Sequence, residues 1–233
     1  MAETVAELTP AALQIPEEEI VEPVSLGEEG FLVAGDLDEA AAILPLEGDG
    51  AISFGAGVEI GLPEKAETGD GLVAEDGSVS YAASDEGAAS VTVITSGEGT
   101  RINTVITDAS ASHEYTYSLG SGEPRLLPDG SVEIYGSEDI VDDAGQEATV
   151  ESLLGSVDAA WAVDANGEPV PTRYEVRGQD LVQIVDFTED TAFPVVADPS
   201  LWWVIGTASD LRCRDRFAGG GRREGHRRVR EGR

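Results

Sequence analysis

Residues 89–95, ASVTVIT, and residues 101–107, RINTVIT, decide the fold class. Val, Ile and Thr are branched at Cβ, which stiffens the first side-chain torsion and suits them to a pleated surface better than to a helix. Working outward, a β-branched or period-two pattern recurs in AISFGAGVEIGL (51–62), GSVSYAA (77–83), HEYTYSL (113–119) and GSVEIYG (130–136). It continues in AWAVD (160–164), RYEVRG (173–178), LVQIVDF (181–187) and FPVVAD (193–198). Between these runs stand Asp70-Gly71, Asp76-Gly77, Asp129-Gly130, Asn166-Gly167 and Arg177-Gly178, dipeptides suited to the positive φ of tight turns. Short strands at this spacing predict an all-β fold, an antiparallel sandwich-like domain over 49–199. DGSVSY (76–81) and DGSVEIY (129–135) echo one another. That echo reads as a duplicated half-domain or, more simply, as the same way of entering a hairpin strand.

The flanks have a different composition. Residues 1–48 are acidic and punctuated by Pro10, Pro16, Pro23 and Pro45. ETVAELTPAALQ (3–14) and DLDEAAAIL (36–44) are helix-like, but helices under about 12–15 residues rarely persist alone in water. The expectation is a short, partly helical, acidic leader or linker over 1–48. Residues 200–209 are expected to form an apolar connector, and 210–233 a disordered, Arg-rich basic tail.

Charge divides the chain sharply. The protein has 233 residues and a formal net charge of -32, with 46 acidic residues against 14 Lys and Arg. Nine of those 14 lie beyond residue 210, from Arg212 to Arg233. The preceding part retains Lys65, Arg101, Arg125, Arg173 and Arg177 as its basic residues. A body this acidic repels nucleic acid and anionic lipid within a screening length of about 8–10 Å at physiological salt. Partners of the body are therefore expected to be neutral or cationic. The single cysteine, Cys213, precludes an internal disulfide, and LWWVIGTA (201–208) is far short of the roughly 20 residues a membrane span needs. The N-terminal sequence has acids where an export signal needs a basic start.

The residues that carry chemistry are few. His113 is the single histidine of the body, and strand alternation places it on one face with Tyr115 and Tyr117. That row reads as a ligand groove or, more plainly, as a mixed face on a half-exposed strand. A glycosidase-type carboxylate pair needs an aromatic-lined cleft, and the tryptophans are Trp161, Trp202 and Trp203. Calcium is the sharper alternative: LEGDGAI (46–52), ETGDGLVAEDGS (67–78) and DIVDDAGQE (139–147) space carboxylates beside glycines. None matches a helix–loop–helix calcium loop, so solvated turns are the simpler account. No glycine-rich phosphate loop follows a strand. No catalytic residue, cofactor or metal set is assigned, and the expected protein is not an enzyme.

The segment 160–203, AWAVDANGEPVPTRYEVRGQDLVQIVDFTEDTAFPVVADPSLWW, resembles the end of the β-rich region in uncharacterised exported proteins of high-GC Gram-positive bacteria. It is also similar to the β-rich spacer ahead of the repeats in RHS-type cell-surface proteins. The positions that carry the likeness are Trp161, Asp164, Ala165, Gly167, Pro194, Val195, Asp198 and Pro199, with Phe193 in place of a tyrosine. The resemblance covers about residues 50–205. It implies a secreted or cell-surface structural or interaction module, with cytoplasmic residence the alternative, and brings no activity or site. The calcium-stabilised binding module and the carboxylate-based hydrolase are the alternative functions. Those relatives begin with an export signal and continue with an apolar, Ala-rich region; this chain turns to arginine near Ser209. Arg- and Gly-rich sequence is what GC-rich DNA encodes when its frame shifts, and a basic tail docked on the acidic body is the rival explanation. Deleting residues 210–233 is expected to leave the melting temperature within about two degrees in a thermal scan.

Overall fold

The computed structural model describes residues 2–10, 14–16, 19–33, 42–54, 58–84, 87–97, 99–141 and 147–203. Helix α1 (Ala2–Leu8) leads into a five-stranded meander of β1 (Val24–Ser25), β2 (Phe31–Val33), β3 (Ala42–Leu44), β4 (Ala51–Phe54) and β5 (Val58–Gly61). Next come β6 (Thr68–Val73), β7 (Val79–Ala83), β8 (Ala89–Thr95) and β9 (Gly99–Ile106), then β10 (Glu114–Ser118), β11 (Glu123–Leu126), β12 (Val132–Val141) and β13 (Glu147–Val157). The last strands are β14 (Trp161–Val163), β15 (Thr172–Arg177), β16 (Asp180–Val185), β17 (Val195–Asp198) and β18 (Ser200–Trp203). The largest sheet runs β11-β12-β13-β18-β9-β8-β7-β6, with β17 also on β9 and β14 on β17. A third sheet has the order β10-β16-β15. Every strand pair is antiparallel, so the all-β, sandwich-like expectation describes the molecule.

Burial follows the two-residue period. In β10, Tyr115 and Tyr117 point inward while Glu114 and Ser118 are exposed, and β4 buries Ile52 and Phe54. One apolar cluster joins the three sheets, taking Phe31 and Ile60 from the meander, Val91 and Ile102 from the large sheet, and Tyr115 and Leu181 from the third. A smaller cluster lies beneath α1, where Val5 packs with Val105, Val163 and Val196.

The hairpin echo is one local device used twice. Asp76 Oδ1 accepts the backbone N–H and hydroxyl of Ser78, and Asp129 Oδ1 accepts the same two groups of Ser131. Gly77 and Gly130 take φ of 82° and 88°, a region where a Cβ is strained. Asn166-Gly167 and Arg177-Gly178 are turns of positive φ as well. Asp70-Gly71 departs from expectation: both residues lie inside β6, where the register against β7 shifts between Thr68 and Gly71. Gly71 is needed there for space, since a Cβ would come within 2.7 Å of the Tyr81 ring.

Residues 1–48, expected as a leader or linker, supply α1 and β1–β3. The tertiary context overrides composition: Ala42 and Leu44, at the end of the helix-like DLDEAAAIL, are buried strand residues held between β2 and β4. Residues 34–41 lie outside the described residues, as do 204–233, which hold most of the expected connector and all of the expected disordered tail. Ser200–Trp203, at the start of that connector, form β18.

The contrast between neighbouring glycines tests the packing at β6. Gly71→Ala is expected to lower stability by about 1–3 kcal/mol through overpacking against Tyr81. Gly69→Ala, whose nearest new contact is 4.0 Å away, should change the urea midpoint far less.

Candidate functional site

PVVADPSLWW (194–203) builds the most unusual polar centre of the described structure. Strands β17 and β18 pair with β9 in one unbroken register, from Val195 opposite Ile106 to Trp202 opposite Gly99. Pro199 interrupts the ladder because it has no N–H to donate, yet its carbonyl still accepts the Ile102 N–H at 3.2 Å. On the opposite edge the chain changes neighbours at this point: Asp198 pairs with Trp161 of β14, and Leu201 pairs with Val157 of β13. A strand that switches partners inside a sheet leaves polar groups to be satisfied locally.

The Asp198 side chain sits at the switch. Its Oδ2 accepts the Trp161 indole N–H at 2.7 Å and the Ser200 hydroxyl, and it is ion-paired to Arg101 Nε at 3.2 Å. Arg101 Nε also reaches Ser200 Oγ at 3.1 Å, while the Tyr174 hydroxyl donates to the Asp198 carbonyl at 3.0 Å. The Arg101 and Asp198 side chains are 6% and 0% exposed. Removal from water pushes the Asp198 carboxyl up to about 6, even though Arg101 and the hydrogen bonds from Ser200 and Trp161 pull the other way; the nearby Asp158 adds to the rise. Asp198 Oδ1 is buried with no hydrogen-bond partner among the described residues.

A carboxyl titrating near 6 can act as a general acid, but a catalyst must also meet a substrate. A cavity of about 180 Å³ beneath α1 is lined by Val5, Thr9, Gln14, Ile94 and Arg101, and Asp198 is not in its wall. The arrangement therefore suits a structural role: the carboxylate ties β14, β9 and β18 together where the backbone ladder fails.

Of the positions that carried the expected likeness, Trp161, Asp198 and Pro199 belong to this centre, and Asp164 and Gly167 shape a separate turn. Trp161 binds Asp198, and Asp164 Oδ1 accepts the N–H groups of Asn166 and Glu168, shaping the turn that Gly167 completes with φ 76°. The Phe193–Pro194 peptide bond is cis. Arg101, Ser200 and Tyr174 escaped notice in the sequence. The available signal was Arg101 itself, a cation inside a β-branched run of a body poor in cations.

The expected histidine row does not form a groove or a half-exposed mixed face. Tyr115 and Tyr117 are 0% and 1% exposed in the core, with the Tyr117 hydroxyl bonded to Thr104 at 3.1 Å. Burial raises both phenols above their ordinary range. His113 lies at the exposed strand end, stacked on Phe187 at 3.9 Å between ring centroids, with its Nδ1 2.9 Å from the Val185 carbonyl oxygen. The side chains of Trp202 and Trp203 lie outside the described residues.

Two of the three calcium-like stretches meet. Glu47 and Asp49 from the first, with Glu67 and Asp70 from the second, line an open cleft of about 960 Å³ that Glu64 also borders. No set of three carboxylate, histidine or cysteine groups among the described residues converges in metal-binding geometry. Of the third stretch, 142–146 lie outside the described residues; Asp139–Val141 belong to β12 and Glu147 to β13, and Asp139 accepts the Thr149 hydroxyl at 2.7 Å. Comparison with protein-family models, with curated proteins and with solved structures returned no match.

Two measurements test the centre. Arg101→Gln leaves a buried carboxylate without its cation and is expected to cost about 3–5 kcal/mol near neutral pH, read from urea denaturation. The pH dependence has a definite sign. A carboxyl whose folded pKa is about 6 contributes stability that is fully present below about 4, its unfolded range, and is lost as pH rises through about 6. Asp198→Asn should remove that decline from the stability profile between pH 4 and 7.

Proposed function

We propose that this chain is an exported or cell-surface structural or interaction module, with no catalytic centre, whose acidic surface meets neutral or cationic partners. One observation carries the reading: every arginine of the described residues is already held by carboxylates. Arg101 is spent on Asp198, Arg125 on Glu123 and Glu151, Arg173 on Glu175 and Asp186, and Arg177 on Glu114 and Glu175. The remaining acids therefore set the sign of the surface. The raised carboxyl of Asp198, the natural candidate for acid catalysis, is committed to holding strands together.

The likeness of residues 160–203 to exported β-rich proteins and to RHS-type spacers supports the location, and the structural use of Trp161, Asp164 and Asp198 supports a scaffold role. A calcium-stabilised module remains the second reading, favoured by the open cleft between Glu47 and Asp70.

Binding of the full chain to a poly-arginine peptide, to duplex DNA and to anionic vesicles, measured at 0.15 M and 0.5 M salt, tests the partner class. Binding to the peptide alone, weakened at the higher salt, is expected. Affinity for DNA or anionic vesicles that persists when residues 210–233 are deleted would overturn the reading. Millimolar calcium is expected to leave the melting temperature in place, while a rise of several degrees would establish the calcium variant.

A further inference from the structure

Asp198 belongs to a polar row that crosses the large sheet. Ser80 of β7 stands opposite Thr92 of β8, and Thr92 opposite Asn103 of β9. The pairs Ala197–Thr104 and Ser200–Arg101 bracket the next step, so Asp198 stands opposite Asn103, and Trp161 of β14 stands opposite Asp198. The row lies on the face where α1 packs: Val105, Val163 and Val196, each two positions from a member of it, meet Val5 there.

Hydrogen bonds run along this row except at one step. Ser80 Oγ and Thr92 Oγ1 are 3.3 Å apart, Asn103 Nδ2 donates to the Thr92 carbonyl at 3.5 Å, and the Trp161 indole N–H donates to Asp198 Oδ2 at 2.7 Å. The gap falls between Asn103 and Asp198. Both residues are buried, and Asn103 Oδ1 and Asp198 Oδ1 have no hydrogen-bond partner among the described residues. The Ile102 N–H donates to the Pro199 carbonyl, so the adjacent Asn103–Asp198 pair is of the non-hydrogen-bonded type. In such a pair the Cα atoms are about 4.5 Å apart and the side chains lie closest. Two opposed buried acceptors each bear the cost of an unmade bond, and one proton between them satisfies both.

We propose that Asn103 and Asp198 form a proton-binding site. A proton from solvent converts the Asp198 carboxylate to the acid, Oδ1–H donates to Asn103 Oδ1, and the completed row locks β17–β18 onto β9. Its loss leaves two acceptors opposed and loosens that seam, which makes the module a pH-sensitive device. The Asp198 carboxyl, pushed up to about 6 by burial, sets the range in which the proton is exchanged. The groups around it are Arg101 of β9, held on Oδ2, Asp158 beyond β13, and the phenols of Tyr117 and Tyr174, which burial raises well above their ordinary range. On the α1 side, Glu3 and Glu7 are exposed, and Asp76 borders the cavity that Arg101 also lines. A folded value above the ordinary one near 4 means that the lock is closed at low pH and opens as pH rises through about 6.

The experiment uses the full chain with carbon-13 at the aspartate carboxyls, titrated from pH 4 to 8, the Asp198 signal being identified by its loss in Asp198→Asn. The expected midpoint is near 6. Asn103→Asp, which sets a second carboxylate against the first, should raise it; Asn103→Thr, whose hydroxyl can donate to the ionised Oδ1, should lower it. Hydrogen exchange of the unmutated chain reads the seam without any substitution. After correction for intrinsic rates, the Ile102 amide is expected to be roughly tenfold more protected at pH 5 than at pH 7, as the two titration values require. Asp198→Asn, whose side-chain N–H can take the proton's place, should make that protection independent of pH. An Asp198 carboxyl that stays ionised down to pH 5 would overturn the proposal. A midpoint near 6 that neither Asn103 variant moves would assign the raised carboxyl to burial alone and defeat the role of Asn103. Equal protection of Ile102 at pH 5 and pH 7 would show that the proton does not lock the seam, which also defeats it.

Discussion

The ion pair between Asp198 and Arg101 occupies the position on which the large sheet depends. A proline within a sheet removes a ladder donor, and here it does so where β17–β18 changes its neighbour from β14 to β13. A single carboxylate gathers the indole of Trp161, the hydroxyl of Ser200 and the guanidinium of Arg101 onto one oxygen, each from a different part of the sheet. Burying two charges is costly, and their attraction offsets that cost only with good geometry and further hydrogen bonds. The pair is therefore better understood as a device that specifies register than as a source of net stability.

This explains why a cation is sequestered in a protein with so few. At the surface, an isolated ion pair contributes little, typically under about 1 kcal/mol. Inside the sheet, an uncompensated Asp198 would be intolerable, so Arg101 is required where it stands. The exposed arginines have a different task. Arg177 bridges Glu114 and Glu175 across β10 and β15, and Arg125 links Glu151 to Glu123 with its guanidinium 4.2 Å from the Tyr135 ring centre. They relieve repulsion between acids that the sheet brings together.

The third sheet shows the complementary principle. Tyr115, Gln183 and Tyr174 stand opposite one another across β10, β16 and β15, so their side chains share one buried face. Tyr174 reaches the Asp198 carbonyl from that face, coupling the small sheet to the strand switch of the large one. The aromatic content is low, at 6%, but the tyrosines are concentrated at this junction.

The sequence by itself determined the strand class. Period-two runs such as EYTYS and β-branched runs such as VTVIT can bury a face only as strands, and Asp-Gly-Ser at 76–78 and 129–131 encodes its turn through bonds within three residues. Those signals are local, so no distant partner is needed to read them. Acidic strands such as β13, with Glu147 and Glu151 among small residues, carry a weaker pattern and take their conformation from pairing. Asp70-Gly71 has turn composition, yet contact with Tyr81 makes it a strand irregularity. Only the tertiary structure decided that Arg101 and Asp198, 97 positions apart in the chain, would meet, because a buried charge pair leaves no periodic trace in either segment. The same holds for His113, whose stacking on Phe187 depends on how β10 and β16 align. Composition reports which side chains are available, and long-range register decides which of them share a space.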